Sequence, residues 1–352
     1  MSSRAHDGAA ALLPLSWLYR AGVASVRAAR TARAAGPGSP RVIAVGNLEV
    51  GGSGKTPLAL WLVERAAAAG KRAAYASRGF ASTAEQGPLV TVVPARDGAP
   101  PASLAGLRIV GRSAPRLADA AGDEAAVVAA RAAAVPLVLA RDKRRAVDVA
   151  ARLGAEIVVV DDAFQSFALA RHVDVLLLDA ERPLANGRVL PAGRLREAPS
   201  AIGRADIVVF NGAGDADAVE ASKARVTRWL RRDAKVYGLR RRVALVASTH
   251  PATAPPAAAV LVAGIAKPDD FRRSIEAIGV RVEGMVAYRD HHRYREADAL
   301  GLRERASGRA LVTTEKDWAK LGRFDWSDTR VWVARLEVDL VGGEDVDGWL
   351  LG

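Results

Sequence analysis

The chain has 352 residues, 50% of them hydrophobic and only 5% aromatic, and contains no cysteine. That balance excludes a disordered chain and a disulfide scaffold, and it removes thiolate metal sites and cysteine nucleophiles together. A formal charge of +12 draws an anionic partner, whether nucleic acid, nucleotide, phosphorylated substrate or lipid headgroup. Charge alone does not choose among these, and a solvated basic face is the plain alternative.

No acidic residue falls between Asp7 and Glu49, whereas Arg20, Arg27, Arg30 and Arg33 lie in that stretch beside Leu12, Leu13, Leu15, Trp17, Leu18 and Tyr19. Pro14 and Arg20 interrupt the apolar run well short of the ~20 residues a spanning helix requires, and no convincing cleavage site follows. On a helix, Leu15, Leu18, Tyr19, Val23 and Val26 form one stripe edged by Arg20 and Arg27. This pattern fits a helix lying in a membrane interface and equally one packed on its own domain.

From Arg41 onward, short apolar runs alternate with helical patterns. Residues 42–45, 136–140, 157–160, 173–178 and 207–210 read as buried strands, and 57–69 and 142–153 as helices. The alternation predicts an α/β domain built on a mostly parallel sheet, with helices on both faces. Residues 81–122 break the rhythm with Pro- and Gly-rich turns around two strand-like runs, 89–93 and 107–110, and read as an insertion or lid. A second, smaller α/β series follows: strands at 260–263, 285–288, 310–313 and 330–338, and helices at 268–278 and 295–306. Residues 235–248 carry the consecutive Arg240, Arg241 and Arg242 and read as the connector between the two units. The expected division is therefore a basic amphipathic segment at 1–35, a phosphate-loop domain at 36–245 and a smaller α/β domain at 246–352.

The first strand runs into Gly46-Asn-Leu-Glu-Val-Gly-Gly-Ser-Gly-Lys-Thr56 and then a helix, the order a phosphate loop requires. Gly51, Gly52, Ser53 and Gly54 let backbone N–H groups turn onto the phosphates of ATP. Lys55 reaches the β- and γ-phosphates, and the Thr56 hydroxyl suits Mg²⁺. Glu49 stands where the general pattern has its first glycine, so the loop is a variant. A hydrophobic strand ending in an acid should complete the Mg²⁺ site, and Ile157-Val-Val-Val-Asp161-Asp162 supplies one, with either carboxylate acting directly or through water. No Asn-Lys-x-Asp motif is present, which disfavours a GTPase.

Eight motifs in order resemble the tetraacyldisaccharide 4′-kinase family over most of the chain. They are Gly46-Asn-Leu-Glu-Val-Gly-Gly-Ser-Gly-Lys-Thr-Pro57, Ser77-Arg-Gly-Phe80, Gly122-Asp-Glu124, Asp161-Asp-Ala-Phe-Gln165, Leu190-Pro-Ala-Gly-Arg-Leu-Arg-Glu197, Gly264-Ile-Ala-Lys-Pro268, Asp290-His-His292 and Thr313-Thr-Glu-Lys-Asp317. The resemblance implies phosphorylation by ATP of the 4′-hydroxyl of a tetraacylated glucosamine disaccharide 1-phosphate, giving lipid IVA in lipid A biosynthesis. It also implies peripheral attachment to the cytoplasmic face of a Gram-negative inner membrane, with no nucleic-acid partner.

By the same resemblance, Asp123 and a histidine of the 290–292 motif form the pair that orients and deprotonates the acceptor, with His291 preferred over His292. An Asp that fixes one imidazole nitrogen leaves the other free to accept a proton. Glu124 and Glu197 match positions near the metal. Arg78, Arg196, Gln165 and His292 match positions near the substrate, where arginines suit bidentate phosphate contacts. The family usually shows Asp-Asp-Gly-Phe-Gln-His where this chain has Ala163 and Ser166, and Tyr where it has Phe80. Ala163 implies an ordinary backbone conformation at a position the family gives to glycine. Two rival readings are a phosphate-loop enzyme with a soluble acceptor and a nucleotide-dependent nucleic-acid-binding protein. Against the second stands the lack of a recognition helix, zinc signature or aromatic-basic interleaving.

Overall fold

The computed structural model describes residues 12–29, 39–51, 54–79, 90–95, 107–111, 117–251 and 254–352. Their strands form one continuous sheet in the order β11-β10-β12-β13-β9-β8-β7-β1-β6-β2-β5-β3-β4. At its centre lie β1 (Arg41–Asn47), β6 (Ile157–Val160) and β7 (Val173–Asp179), all parallel and almost wholly buried. Strands covered on both faces read as continuous apolar runs, which is why these were legible in the sequence. β2 (Ala73–Ser77) and β5 (Leu137–Leu139) extend the block on one side and β8 (Ile207–Asn211) on the other. The 81–122 region lies partly outside the described residues. Within it, β3 (Thr91–Val93) and β4 (Arg108–Ile109) close the far edge, with β3 antiparallel to β5.

The stretch read as a connector is itself a strand. β9 (Lys235–Ala247) pairs in parallel with β8 through residues 235–239 and antiparallel with β13 (Val331–Val341) through residues 238–247. Its arginines meet acids of β13: Arg240 stands opposite Asp339, and Arg242 lies 3.2 Å from Glu337 and 3.6 Å from Asp339. Opposite charges across an antiparallel pair favour that register. The boundary expected at 245/246 thus falls inside a strand that joins both units. Beyond β13, the strands β12 (Ala310–Thr314), β10 (Ala258–Ala263) and β11 (Arg281–Ala287) form a second parallel block.

β9 and β13 run in opposite directions, and the first block pairs only with residues 235–239 of β9 while the second pairs only with residues 331–334 of β13, of which 332–334 lie opposite 245–247. The two blocks are therefore offset along this ribbon and their carboxyl ends point toward one another. Ligands of open α/β sheets bind outside the carboxyl ends of strands, so this sheet presents two such edges to one cleft. Helix α1 (Leu13–Ala29) packs against the segment that precedes Arg194–Arg196. Its anchor is Ser16, only 2% exposed, whose hydroxyl donates to the Val189 carbonyl (3.1 Å) and accepts the Ala192 N–H (3.1 Å). Tyr19 packs on the core beneath β7 and β8 and Val23 is half-buried. The expected stripe is split: Leu15, Leu18 and Val26 face outward with Trp17, at 51%, 71%, 44% and 71% exposure. No helix among the described residues is long and apolar enough to cross a membrane.

Candidate active site

The phosphate loop leaves β1 and enters α2 (Lys55–Ala68), whose Leu58, Leu62 and Ala66 bury against the sheet. Gly54, with φ of 85°, turns the chain into the helix, and Gly51 has φ of 119°; both are conformations that favour glycine. Gly52 and Ser53 lie outside the described residues. Lys55 donates to the Asn47 side chain (3.1 Å) and lies 3.4 Å from Asp162. Thr56 donates to Asp161 Oδ2 at 2.7 Å, and Tyr75 on β2 donates to the same oxygen at 2.8 Å. Burial pushes the Asp161 carboxyl above its ordinary value, and those two hydrogen bonds oppose the rise without cancelling it. A buried carboxylate beside a threonine hydroxyl is an all-oxygen donor pair of the kind Mg²⁺ accepts.

Asp162 behaves oppositely. Burial raises its carboxyl, but Lys55, Lys143 and Arg196 outweigh that and hold it below its ordinary value. Its backbone is left-handed (φ 49°), while Ala163 has no such strain, as expected for an alanine in place of glycine. Arg196 reaches Asp162 with bonds of 2.9 and 3.2 Å. It does so because the segment around 194–196 runs beside the phosphate loop: Val50 donates to the Arg194 carbonyl and Arg196 N–H to that of Leu48. Arg78 is exposed close by, near enough to act on Lys143. Glu124, paired with Lys316 at 3.1 Å, lies within electrostatic reach of Asp161. Glu197 is engaged elsewhere: Arg204 grips both its oxygens at 2.8 and 2.9 Å, and Gln165 donates to it at 3.0 Å. Gln165 also ties to the Asn47 carbonyl, so these two residues brace the loop from behind.

The second block brings in the histidines. His291, with φ of 58°, sits in the turn after β11, where its N–H bonds to the Gly264 carbonyl (3.2 Å). Its Nδ1 lies 2.9 Å from Asp123 Oδ2, at the first turn of α4 (Asp123–Arg131). His292 points the other way. It stacks on Tyr288 (4.5 Å between centroids), meets Tyr294 edge-on and lies 3.3 Å from Asp298. The structure therefore separates the pair: His291 joins Asp123, and His292 belongs to an aromatic cluster.

Three cations escaped the sequence reading. Lys143, first residue of α5 (Lys143–Arg152), donates to the Asp162 carbonyl from a half-buried position. A basic residue just past the carboxyl end of a parallel strand was the available signal. Arg241 of β9 reaches into the loop, its Nη2 only 2.6 Å from where a side chain on Gly54 would begin. With Asn211, Asp179, Arg194 and Lys267 it lines a cleft beside Gly51 at the ends of β1, β7 and β8. Lys320, 3.0 Å from Asp123, is the third.

Burial lowers Lys143 from its ordinary 10.5 to about 8, although Asp162 and Asp161 pull upward. The folded value is the lower one, so the charged amine costs stability below about 8 and this cost is relieved as pH rises from about 8 to 10.5. Between those values the parent should gain stability relative to Lys143→Met, measured by denaturant midpoints at each pH. Parallel pH dependences of parent and variant would contradict the burial of this charge.

The family model for tetraacyldisaccharide-1-P 4′-kinase matches residues 8–352. A tetraacyldisaccharide 4′-kinase of Anaeromyxobacter sp. (strain Fw109-5) is 38% identical, covering 97% of this chain and 91% of the relative. Another, from Parvibaculum lavamentivorans (strain DS-1), is 35% identical over 91% of this chain and 83% of its own. The crystal structure of LpxK from Aquifex aeolicus in complex with ATP superposes with a TM-score of 0.71 over 97% of this chain and 98% of that one, at 23% identity, and so has the same fold. A match across nearly the whole sequence, with relatives above one-third identity over most of both lengths, makes this chain a member of the tetraacyldisaccharide 4′-kinase family.

Proposed function

We propose that this chain transfers the γ-phosphoryl group of ATP to the 4′-hydroxyl of tetraacylated glucosamine disaccharide 1-phosphate, giving lipid IVA for lipid A biosynthesis. The observation that carries the reading is the 2.9 Å contact between Asp123 and His291, beside a phosphate loop, in a chain of this family. The Asp123 carboxylate accepts from Nδ1–H, which leaves Nε2 to take the proton of the 4′-hydroxyl. The sugar oxygen forms a bond to the γ-phosphorus as the bond from that phosphorus to the β–γ bridging oxygen breaks, and ADP leaves.

Phosphoryl transfer passes through a loose transition state, so charge neutralisation and alignment outweigh the base. Lys55, Lys143, Arg196 and Arg78 surround the point where the phosphates meet the ends of β1 and β6. Thr56 and Asp161 would hold Mg²⁺, which supplies neutralisation of β- and γ-phosphate oxygens. The cleft lined by Asn211, Asp179 and Arg241 is suited to the nucleoside end of ATP. The substrate is an anionic lipid, and α1 presents Leu15, Trp17, Leu18 and Val26 outward with Arg20 and Arg27 on the same exposed helix. This supports peripheral attachment to an anionic membrane surface, which for a lipid A precursor kinase would be the cytoplasmic face of the inner membrane.

Labelled γ-phosphate should pass from ATP to purified tetraacyl disaccharide 1-phosphate in detergent micelles. Lys55→Ala should lose roughly 10²–10³-fold in kcat and His291→Ala about 10²-fold or more, the usual range for a general base. Equal transfer to a water-soluble glucosamine phosphate would favour the soluble-acceptor reading instead. Replacing Leu15, Trp17 and Leu18 together by Ser should weaken flotation with vesicles containing anionic lipid by at least about tenfold, since each buried apolar side chain contributes ~1.5–3 kcal/mol. Unchanged flotation would remove the membrane role of α1.

A further inference from the structure

Asp123 has a second partner on the oxygen that holds His291. Lys320, on α9 (Glu315–Leu321), places its Nζ 3.0 Å from Asp123 Oδ2, so that oxygen accepts from an imidazole and an ammonium at once. Lys320 is 7% exposed. Its Nζ lies 3.9 Å from Asp317 Oδ1 and 5.7 Å from the centre of the Tyr294 ring. A lysine buried this deeply is unfavourable unless its charge is paired, and both carboxylates lie within 4 Å.

The seat of this lysine is rigid. Asp317 is fully buried and accepts from Tyr294 Oη (2.9 Å), Gly264 N–H (2.9 Å) and Thr314 Oγ1 (2.7 Å). Gly264 must be glycine because a side chain there would begin 2.9 Å from both Asp317 and Tyr294. The carbonyl of the same Gly264 receives the His291 N–H. One carboxylate thus fixes the turn that carries His291, and the lysine one helical turn later fixes the carboxylate that His291 meets. Asp290 lies 3.8 Å from His291 Nε2, and Glu124, next to Asp123 in the chain, is paired with Lys316.

Clamping α9 onto α4 does not require Lys320. Lys316–Glu124 at 3.1 Å and Arg131–Glu315 at 3.9 Å already tie the two helices. We propose that Lys320 is a positioning residue for phosphoryl transfer: its ammonium locks the Asp123 carboxylate in the orientation that presents His291 Nε2 to the acceptor. This rests on the Asp123–His291 reading above. It assigns a role to the helix that begins within Thr313-Thr-Glu-Lys-Asp317, a motif the reaction itself leaves unused.

The test is steady-state kinetics of the full-length protein in lipid micelles. Lys320→Met should lower kcat about 10–100-fold, the range for removing a partner that orients a reacting group. KM for ATP and for lipid should stay within about twofold, and Lys320→Arg should recover most of the loss, since a purely apolar packing role would not distinguish Arg from Met. In an Asp123→Asn background, Lys320→Met should cost less than about threefold more, because the lysine acts through that carboxylate. If Lys320→Met does not fold, Lys320→Gln, which keeps a shorter donor, carries the same readouts. An unchanged kcat in Lys320→Met, or losses that multiply independently in the double variant, would overturn the inference while leaving the dyad standing. A parent-like kcat in Asp123→Asn would overturn the dyad reading and this inference with it.

Discussion

The antiparallel pairing of β9 with β13 is the constraint on which the rest of the molecule depends. Each block alone is an ordinary parallel α/β array whose loops gather at the carboxyl ends of its strands. Joined in parallel, the two blocks would present those loops on the same edge, side by side. The ten registered pairs between β9 and β13 reverse one block relative to the other, and because each block pairs with only the first half of its long strand the blocks are offset, so the two sets of loops face each other. Asp123 and His291 meet across 168 residues for that reason. The acids Glu337 and Asp339 opposite Arg242 and Arg240 oppose a slip in register, which would displace every residue of the second block from the phosphate loop.

Within the cleft, the electrostatics anticipate an anion. Asp161 is raised by burial and Asp162 is held down by three cations, so adjacent carboxyl groups are prepared for different tasks. Lys143 is depressed to about 8 by burial, and Arg241 is crowded against Gly54 at the start of α2. A cation beside a helix N-terminus is unfavourable until a negative group lies between them. Polyphosphate in the loop relieves this arrangement. The net charge of +12, uninformative by itself, here has a local expression in the residues lining the cleft.

How much was legible in the sequence follows from which signals are local. The buried strands and the loop from Gly46 to Thr56 were readable because apolar runs and glycine spacing need no knowledge of the partner. β9 was not, since its basic run looks like a solvated connector until the acids of β13, about a hundred residues later, are placed opposite it. The helical periodicity of α1 is legible, but its five apolar positions do not share one face toward the protein, and the buried contact is the polar Ser16. His291 and His292 are adjacent in sequence, and the left-handed turn at His291 sends them to opposite environments. The engagement of Glu197 by Arg204 and the approach of Lys320 to Asp123 are contacts between elements, invisible to motif spacing.

The measurement that bears most directly on this account is the kcat of Asp123→Asn, His291→Ala and the double variant, with ATP and tetraacyl disaccharide 1-phosphate both saturating. Residues that act as one unit give losses far from additive. The account predicts that the double variant is no more than a few-fold slower than His291→Ala alone. Losses that multiply, or a fully active His291→Ala, would mean that the two blocks do not meet at a shared catalytic pair.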